Sequence, residues 1–99
     1  MTEQKVKARF KVGEQAFIDG RDPQAIPLLT VSKINLWEDT QRQKAVGFLK
    51  HGTQVTIIDA EYHIPQKRWY YRVKHLFKTG WLPGVFLGKD KPAILGDLV

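Results

Sequence analysis

The chain has 99 residues, no cysteine and a formal charge of +6 from 16 basic and 10 acidic side chains. This length predicts one domain with a modest core, and the lack of cysteine excludes disulfides and thiolate metal sites. No stretch approaches the about 18 apolar residues of a membrane span, and residues 1–10 lack the apolar run of a signal peptide, which predicts a cytoplasmic protein.

The positive charge favours an anionic partner, whether nucleic acid, an acidic protein or a membrane surface. The sequence has no uninterrupted run of five basic residues of the kind that marks a nucleic-acid-binding arm. Charge that serves only solubility is therefore an equally good interpretation.

Residues 5–12 alternate between basic and apolar side chains. One face would carry Val6, Ala8, Phe10 and Val12, and the other Lys5, Lys7, Arg9 and Lys11. Residues 13–15 have turn composition, and residues 16–18 suit a returning strand. Turn residues dominate the following stretch, which includes Pro23 and Pro27. Residues 1–27 are thus predicted to form an N-terminal extension, a β-hairpin followed by a loop.

Short apolar runs at residues 28–31 and 34–37 predict strands, and residues 38–44 predict a polar loop. Residues 53–58 are rich in β-branched side chains and predict a further strand. Residues 59–67, which contain Pro65, predict a second polar loop.

The stretch from residue 68 to residue 87 reads RWYYRVKHLFKTGWLPGVFL and holds most of the aromatic residues. Strand alternation places Trp69, Tyr71 and Val73 on one face and Tyr70, Arg72 and Lys74 on the other. Residues 78–80 predict a turn centred on glycine, and a second strand begins at residue 81 and ends at Pro83, which lacks an N–H for a ladder. Residues 85–87 predict a last short strand. The predicted core comprises Val55, Ile57, Val73, Leu82 and Leu87.

Two segments carry a family resemblance. The first is Gly80, Trp81, Leu82, Pro83, Phe86 and Leu87, and the second runs from Asn35 through Gly47 to Gly52 and Val55. Over residues 28–87 the chain resembles bacterial Src-homology-3-like domains, although Trp37 stands where their pattern usually has arginine. The resemblance implies a mainly β fold, a small Src-homology-3-like barrel of about five strands, with the N-terminal hairpin added to it. Residues 88–99 are then a C-terminal tail.

The resemblance also implies a function, a shallow aromatic groove that binds an extended peptide or protein segment, an acidic one among the possible partners. Its ligand-binding residues would be Tyr70, Trp81, Pro83, Phe86 and Trp37. In eukaryotic members an acidic loop holds an arginine of the ligand, but here the loop after Trp37 has Arg42 and Lys44 beside Glu38 and Asp39. Arginine-anchored recognition is therefore not expected. The alternative for Tyr70, Trp81 and Phe86 is that they only cover a small core.

A second functional hypothesis is a basic β-barrel that binds single-stranded nucleic acid through Tyr70, Arg72 and Lys74, since stacking and phosphate contact hold such strands. Catalysis is not predicted. His51, His63 and His75 lack metal-ligand spacing, and no nucleophile has a recognisable base, so we expect neither a metal nor another cofactor.

Overall fold

The computed structural model describes residues 7–21 and 33–92. They form one antiparallel sheet of seven strands, curled into a half-barrel, in the order β3-β2-β6-β5-β4-β1-β7. The strands are β1 (Gln15–Ile18), β2 (Lys33–Trp37), β3 (Ala45–Lys50), β4 (Gln54–His63), β5 (Arg68–His75), β6 (Lys78–Pro83) and β7 (Leu87–Gly88), and single 3₁₀ turns lie at Ile64–Gln66 and Gly84–Phe86. The prediction of a mainly β fold compatible with a small barrel is confirmed. Neither of these two ranges contains a helix that could span a bilayer.

One core fills the concave side of the sheet, because alternate residues of each strand point to the same face. All five predicted core residues are buried there, which confirms that assignment. The core also contains Phe10, Ala16, Ile18, Ile34, Leu36, Leu49 and Tyr71.

The N-terminal hairpin is not present in residues 7–12, which form no strand. The predicted returning strand does exist as β1, but its two edges are taken by β4, where Ala16 faces Val55, and by β7, where Ile18 faces Leu87. The segment before β1 is held on the sheet by side-chain hydrogen bonds and not by strand pairing. The hydroxyl of Tyr71 accepts hydrogen bonds from the amides of Arg9 (3.0 Å) and Phe10 (3.4 Å). The strand predicted at residues 28–31 lies outside the described residues.

Strand β4 is longer than predicted, since it continues through residues 59–63 where we predicted a loop. A bulge between Ile57 and Asp59 resets the register, after which Ala60 faces Tyr71 and Tyr62 faces Trp69 across β5. The polar residues of this stretch lie on the outer face of the sheet, in contact with solvent. The stretch therefore has the polar composition that is typical of a loop. The turn begins only at Ile64, and Lys67 closes it with φ of 54°.

The turn between β5 and β6 is formed by Leu76 and Phe77, so the turn predicted at residues 78–80 is wrong. Gly80 lies inside β6, opposite Val73. A Cβ at position 80 would lie 2.6 Å from Cβ of Leu36. This glycine therefore permits the close approach of β2 rather than a turn. The predicted strand end at Pro83 is confirmed.

Candidate functional site

A surface pocket of about 200 Å³ brings together three of the five residues predicted to bind a ligand, Trp37, Pro83 and Phe86. We call it the groove pocket. Its remaining lining residues are Lys33, Ile34, Asn35 and Arg42. Strand β2 supplies one wall, and the end of β6 with the following 3₁₀ turn supplies the other.

Two local features place Phe86 in the groove pocket. Pro83 ends β6, and the chain then turns through Gly84–Phe86 instead of continuing as a strand. A Cβ on Gly84 would lie 2.8 Å from Cε2 of Tyr71, so only glycine lets the turn lie this close to the barrel. The amide of Asp19 then donates to the carbonyl oxygen of Phe86 at 2.8 Å, which fixes the end of the turn.

Trp37 is positioned by cross-strand pairing, because it lies directly opposite Trp81 between β2 and β6. Trp81 is also opposite Arg72, and Arg72 is opposite Asp59, so these four residues form a row across the outer face of four strands. Trp81 is half-buried in this row and does not line the groove pocket. Trp81 was predicted to bind the ligand, and the structure places it beside the groove pocket and not in its lining.

Tyr70 has no exposed surface (0%), so the prediction that it is a partly exposed groove residue is wrong. Its hydroxyl donates to Oε1 of Gln66 at 2.6 Å and accepts from Nη2 of Arg68 at 3.3 Å. The ring of His63 packs against its ring at 5.4 Å, and Pro83 is its cross-strand neighbour. The face of the strand was predicted correctly, but these neighbours cover it. Tyr70 is therefore a neighbour of Pro83 in the sheet and does not line the groove pocket.

The groove pocket is positively charged, since exposed Lys33 and Arg42 lie on its rim. The ion pair found within residues 7–21 and 33–92 joins Asp19 to Arg21, so neither rim cation takes part in it. Sequence reasoning missed Lys33 and Asn35, although alternation along β2 places both on the face of Trp37. It also missed that Arg42 lines the pocket, because side-chain direction in a loop does not alternate along the sequence.

A second pocket of about 120 Å³ is lined by different residues of the same 3₁₀ turn. It is lined by Lys7, Arg9, Arg68, Trp69, Tyr71, Gly84 and Val85. The side chain of Arg9 donates to the carbonyl oxygens of Gly84 (3.2 Å) and Leu87 (3.1 Å). Two nitrogens of this guanidinium are thus used in holding the N-terminal segment against the turn.

The surface predicted to bind nucleic acid lacks one of its three residues, because Tyr70 is buried. Arg72 and Lys74 are exposed on one face, as predicted, but the ring of Tyr70 is not available for stacking. The three histidines do not converge. Nδ1 of His51 accepts from the amide of Gly20 at 2.9 Å, His63 packs on Tyr70, and Nδ1 of His75 lies 3.1 Å from the carbonyl oxygen of Gln54. Among the described residues, no three metal-ligating side chains form a group.

One carboxylate close to the end of the 3₁₀ turn has a shifted pKa. The Arg21 side chain donates to both oxygens of Asp19, from Nε at 3.0 Å and from Nη2 at 2.8 Å. These hydrogen bonds hold the pKa of Asp19 below its usual value. The Asp19 carboxylate therefore holds Arg21, while the backbone amide of Asp19 holds Phe86.

Comparison of the chain with protein-family models, with curated proteins and with solved structures gives no match.

Proposed function

We propose that this chain is a non-catalytic module that binds an extended peptide in the groove pocket, on a barrel of the Src-homology-3-like kind. The observation that carries the proposal is that Trp37 shares one pocket with Pro83 and Phe86, which follow it by 46 and 49 positions in the sequence. Aromatic side chains beside a proline form a rigid apolar surface, and such surfaces bind extended segments with a small loss of conformational entropy.

The strand order supports the fold part of the proposal. Strands β4, β5 and β6 form an antiparallel meander, and the 3₁₀ turn leads into β7, which pairs with β1. The segment GWLPGVFL, on which the family resemblance depends, supplies the second part of β6, the turn and the first residue of β7. The resemblance and the strand order therefore point to the same region of the molecule.

The size of the groove pocket favours a peptide side chain over a small-molecule ligand. Its volume of about 200 Å³ is below the roughly 300 Å³ at which small-molecule sites usually begin. A shallow pocket of this size suits one apolar side chain of a chain that continues across the surface.

The charge of the rim favours a peptide with a carboxylate near that apolar side chain. Lys33 offers an ammonium donor and Arg42 a guanidinium donor at this pocket. A guanidinium can bind a carboxylate through two parallel hydrogen bonds. An arginine of the ligand would be repelled here. We therefore propose an acidic peptide, in contrast to the arginine-anchored ligands of eukaryotic members.

The experiment is selection from a displayed random-peptide library on the whole chain, followed by titration of a selected peptide into variants. Phe86→Ala and Trp37→Ala should each weaken binding about thirtyfold, since truncation of an aromatic anchor commonly costs about 2 kcal/mol or more. Phe77→Ala is the matched control, because it removes the same side chain from a fully exposed position outside the pocket. If no peptide is selected, or if selected peptides bind all three variants like the wild type, the proposal is wrong.

A further inference from the structure

The turn between β5 and β6 carries two exposed apolar side chains. Phe77 has a relative exposure of 102% and Leu76 of 73%. We call these two residues the hairpin tip. Isolated exposed apolar residues are common on proteins, but a neighbouring pair at the end of a hairpin forms a protruding apolar surface. This pair contributes nothing to the core.

The backbone of the hairpin tip is unfavourable for the residue that it holds. Leu76 has φ of 53°, a conformation that glycine, asparagine and aspartate adopt much more readily than a bulky side chain. Two-residue hairpin turns usually contain those residues. The sequence thus places leucine where a small or polar residue would stabilise the fold better. Such local strain is often found at functional positions.

Basic side chains surround the hairpin tip. Lys74 and Lys78 are exposed on the two strands that lead into it. Nζ of Lys78 lies 4.9 Å from the ring centroid of Phe48, which is itself 38% exposed, and Nζ of Lys33 lies 4.7 Å from the same ring. The ion pair found among the described residues joins Asp19 to Arg21 and does not involve these lysines. The tip is thus apolar at its end and cationic around its base.

We propose that the hairpin tip docks on an anionic lipid surface, with Leu76 and Phe77 inserted at the boundary between headgroups and acyl chains and the lysines on the headgroups. A flat, rigid protein surface cannot bury a protruding apolar pair, whereas lipid molecules can rearrange to surround it. Nucleic acid would use the lysines but would leave the aliphatic side chain of Leu76 in water. Interfacial membrane binding combines both features, buried apolar area and attraction of basic residues to anionic lipid. Leu76 and Phe77 do not line the groove pocket, so their insertion does not depend on peptide binding, although Lys33 lies between the two surfaces.

The test is co-sedimentation of the whole chain with vesicles of phosphatidylcholine containing phosphatidylserine, and with vesicles of phosphatidylcholine alone. The wild-type chain should bind the anionic vesicles, and Phe77→Gln should weaken this binding about tenfold or more, as expected from the apolar area that the ring would bury. Folding should not change, because the ring has no contacts to lose. Ile64→Gln is the matched control, since Ile64 is 63% exposed and lies in the turn at the opposite end of β5.

Two further variants separate the contributions of the tip and of its charges. Leu76→Asn should weaken vesicle binding while it raises the melting temperature, because asparagine tolerates positive φ. Lys74→Gln combined with Lys78→Gln should reduce binding to anionic vesicles, whereas the same change at Lys89 and Lys91 should reduce it less. Three results would overturn the proposal: no binding to anionic vesicles, binding that Phe77→Gln does not affect, or equal loss with Ile64→Gln.

Discussion

Gly80→Ala tests whether close packing of β2 on β6, rather than a turn, requires this glycine. The added methyl would lie 2.6 Å from Cβ of Leu36, 3.2 Å from Cγ2 of Val46 and 3.3 Å from the carbonyl oxygen of Trp37. Neither Cβ of Leu36 nor a backbone oxygen can move without moving its strand. Overpacking of this kind typically costs about 1 to 3 kcal/mol. At about 4 to 8 °C per kcal/mol for a domain of this size, the melting temperature should fall by roughly 4 to 24 °C.

Two other glycines are controls for this substitution. A Cβ at position 47 would have no neighbouring atom within 4 Å, and φ there is not positive, so Gly47→Ala should be neutral or slightly stabilising. Gly52 also has free space but φ of 90°, so Gly52→Ala should cost about 1 to 2 kcal/mol through backbone strain alone. Thermal unfolding followed by circular dichroism measures all three. If Gly80→Ala melts at or above the temperature of Gly47→Ala, β2 does not pack on β6 as described.

The remaining predictions concern residues that stabilise the fold without lining the groove pocket. Tyr70→Ala should cost about 3 to 5 kcal/mol in urea unfolding, because the ring is fully buried, and peptide binding by the folded fraction should be little changed. Tyr71→Phe should cost about 1 to 3 kcal/mol, since the amides of Arg9 and Phe10 lose their acceptor; an unchanged midpoint would contradict those hydrogen bonds. The lowered pKa of Asp19 stabilises the fold above the unfolded-state pKa of about 4, and this contribution should be lost as the pH falls further. Asp19→Asn should flatten stability against pH in that range, whereas an unaltered profile would exclude the pair with Arg21.

Most of the strands could be predicted because their side chains alternate with period two over a curved sheet with one buried face. The errors arose where a residue's local preference and its tertiary role differ. Gly80 has the composition of a turn, but its function depends on Leu36, which is 44 positions away in the sequence. Leu76 and Phe77 have no turn signal at all, and yet they form the turn.

The candidate site was predicted in part for a similar reason. Alternation gave the correct face for Tyr70, but it could not show that Gln66 and Arg68 hydrogen-bond to its hydroxyl and that His63 packs against its ring. Trp37 and Phe86 meet because β2 pairs with β6 and because a 3₁₀ turn follows Pro83. A sequence motif suggests that these residues are close, but the strand pairing is visible only in the structure. Arg42 lies in a loop, where no periodicity relates sequence to direction.

The central claim is that peptides bind at the groove pocket, and mapping of amide chemical shifts by NMR tests it most directly. A peptide selected from a displayed library should shift the amide resonances of Lys33, Asn35, Trp37 and Phe86, while those of Leu76 and Phe77 at the hairpin tip stay unchanged. Phe86→Ala should abolish these shifts at the same peptide concentration, and Phe77→Ala should preserve them. Shifts centred instead on the second pocket, at Arg68, Trp69 and Val85, or spread evenly over exposed lysines, would contradict the claim.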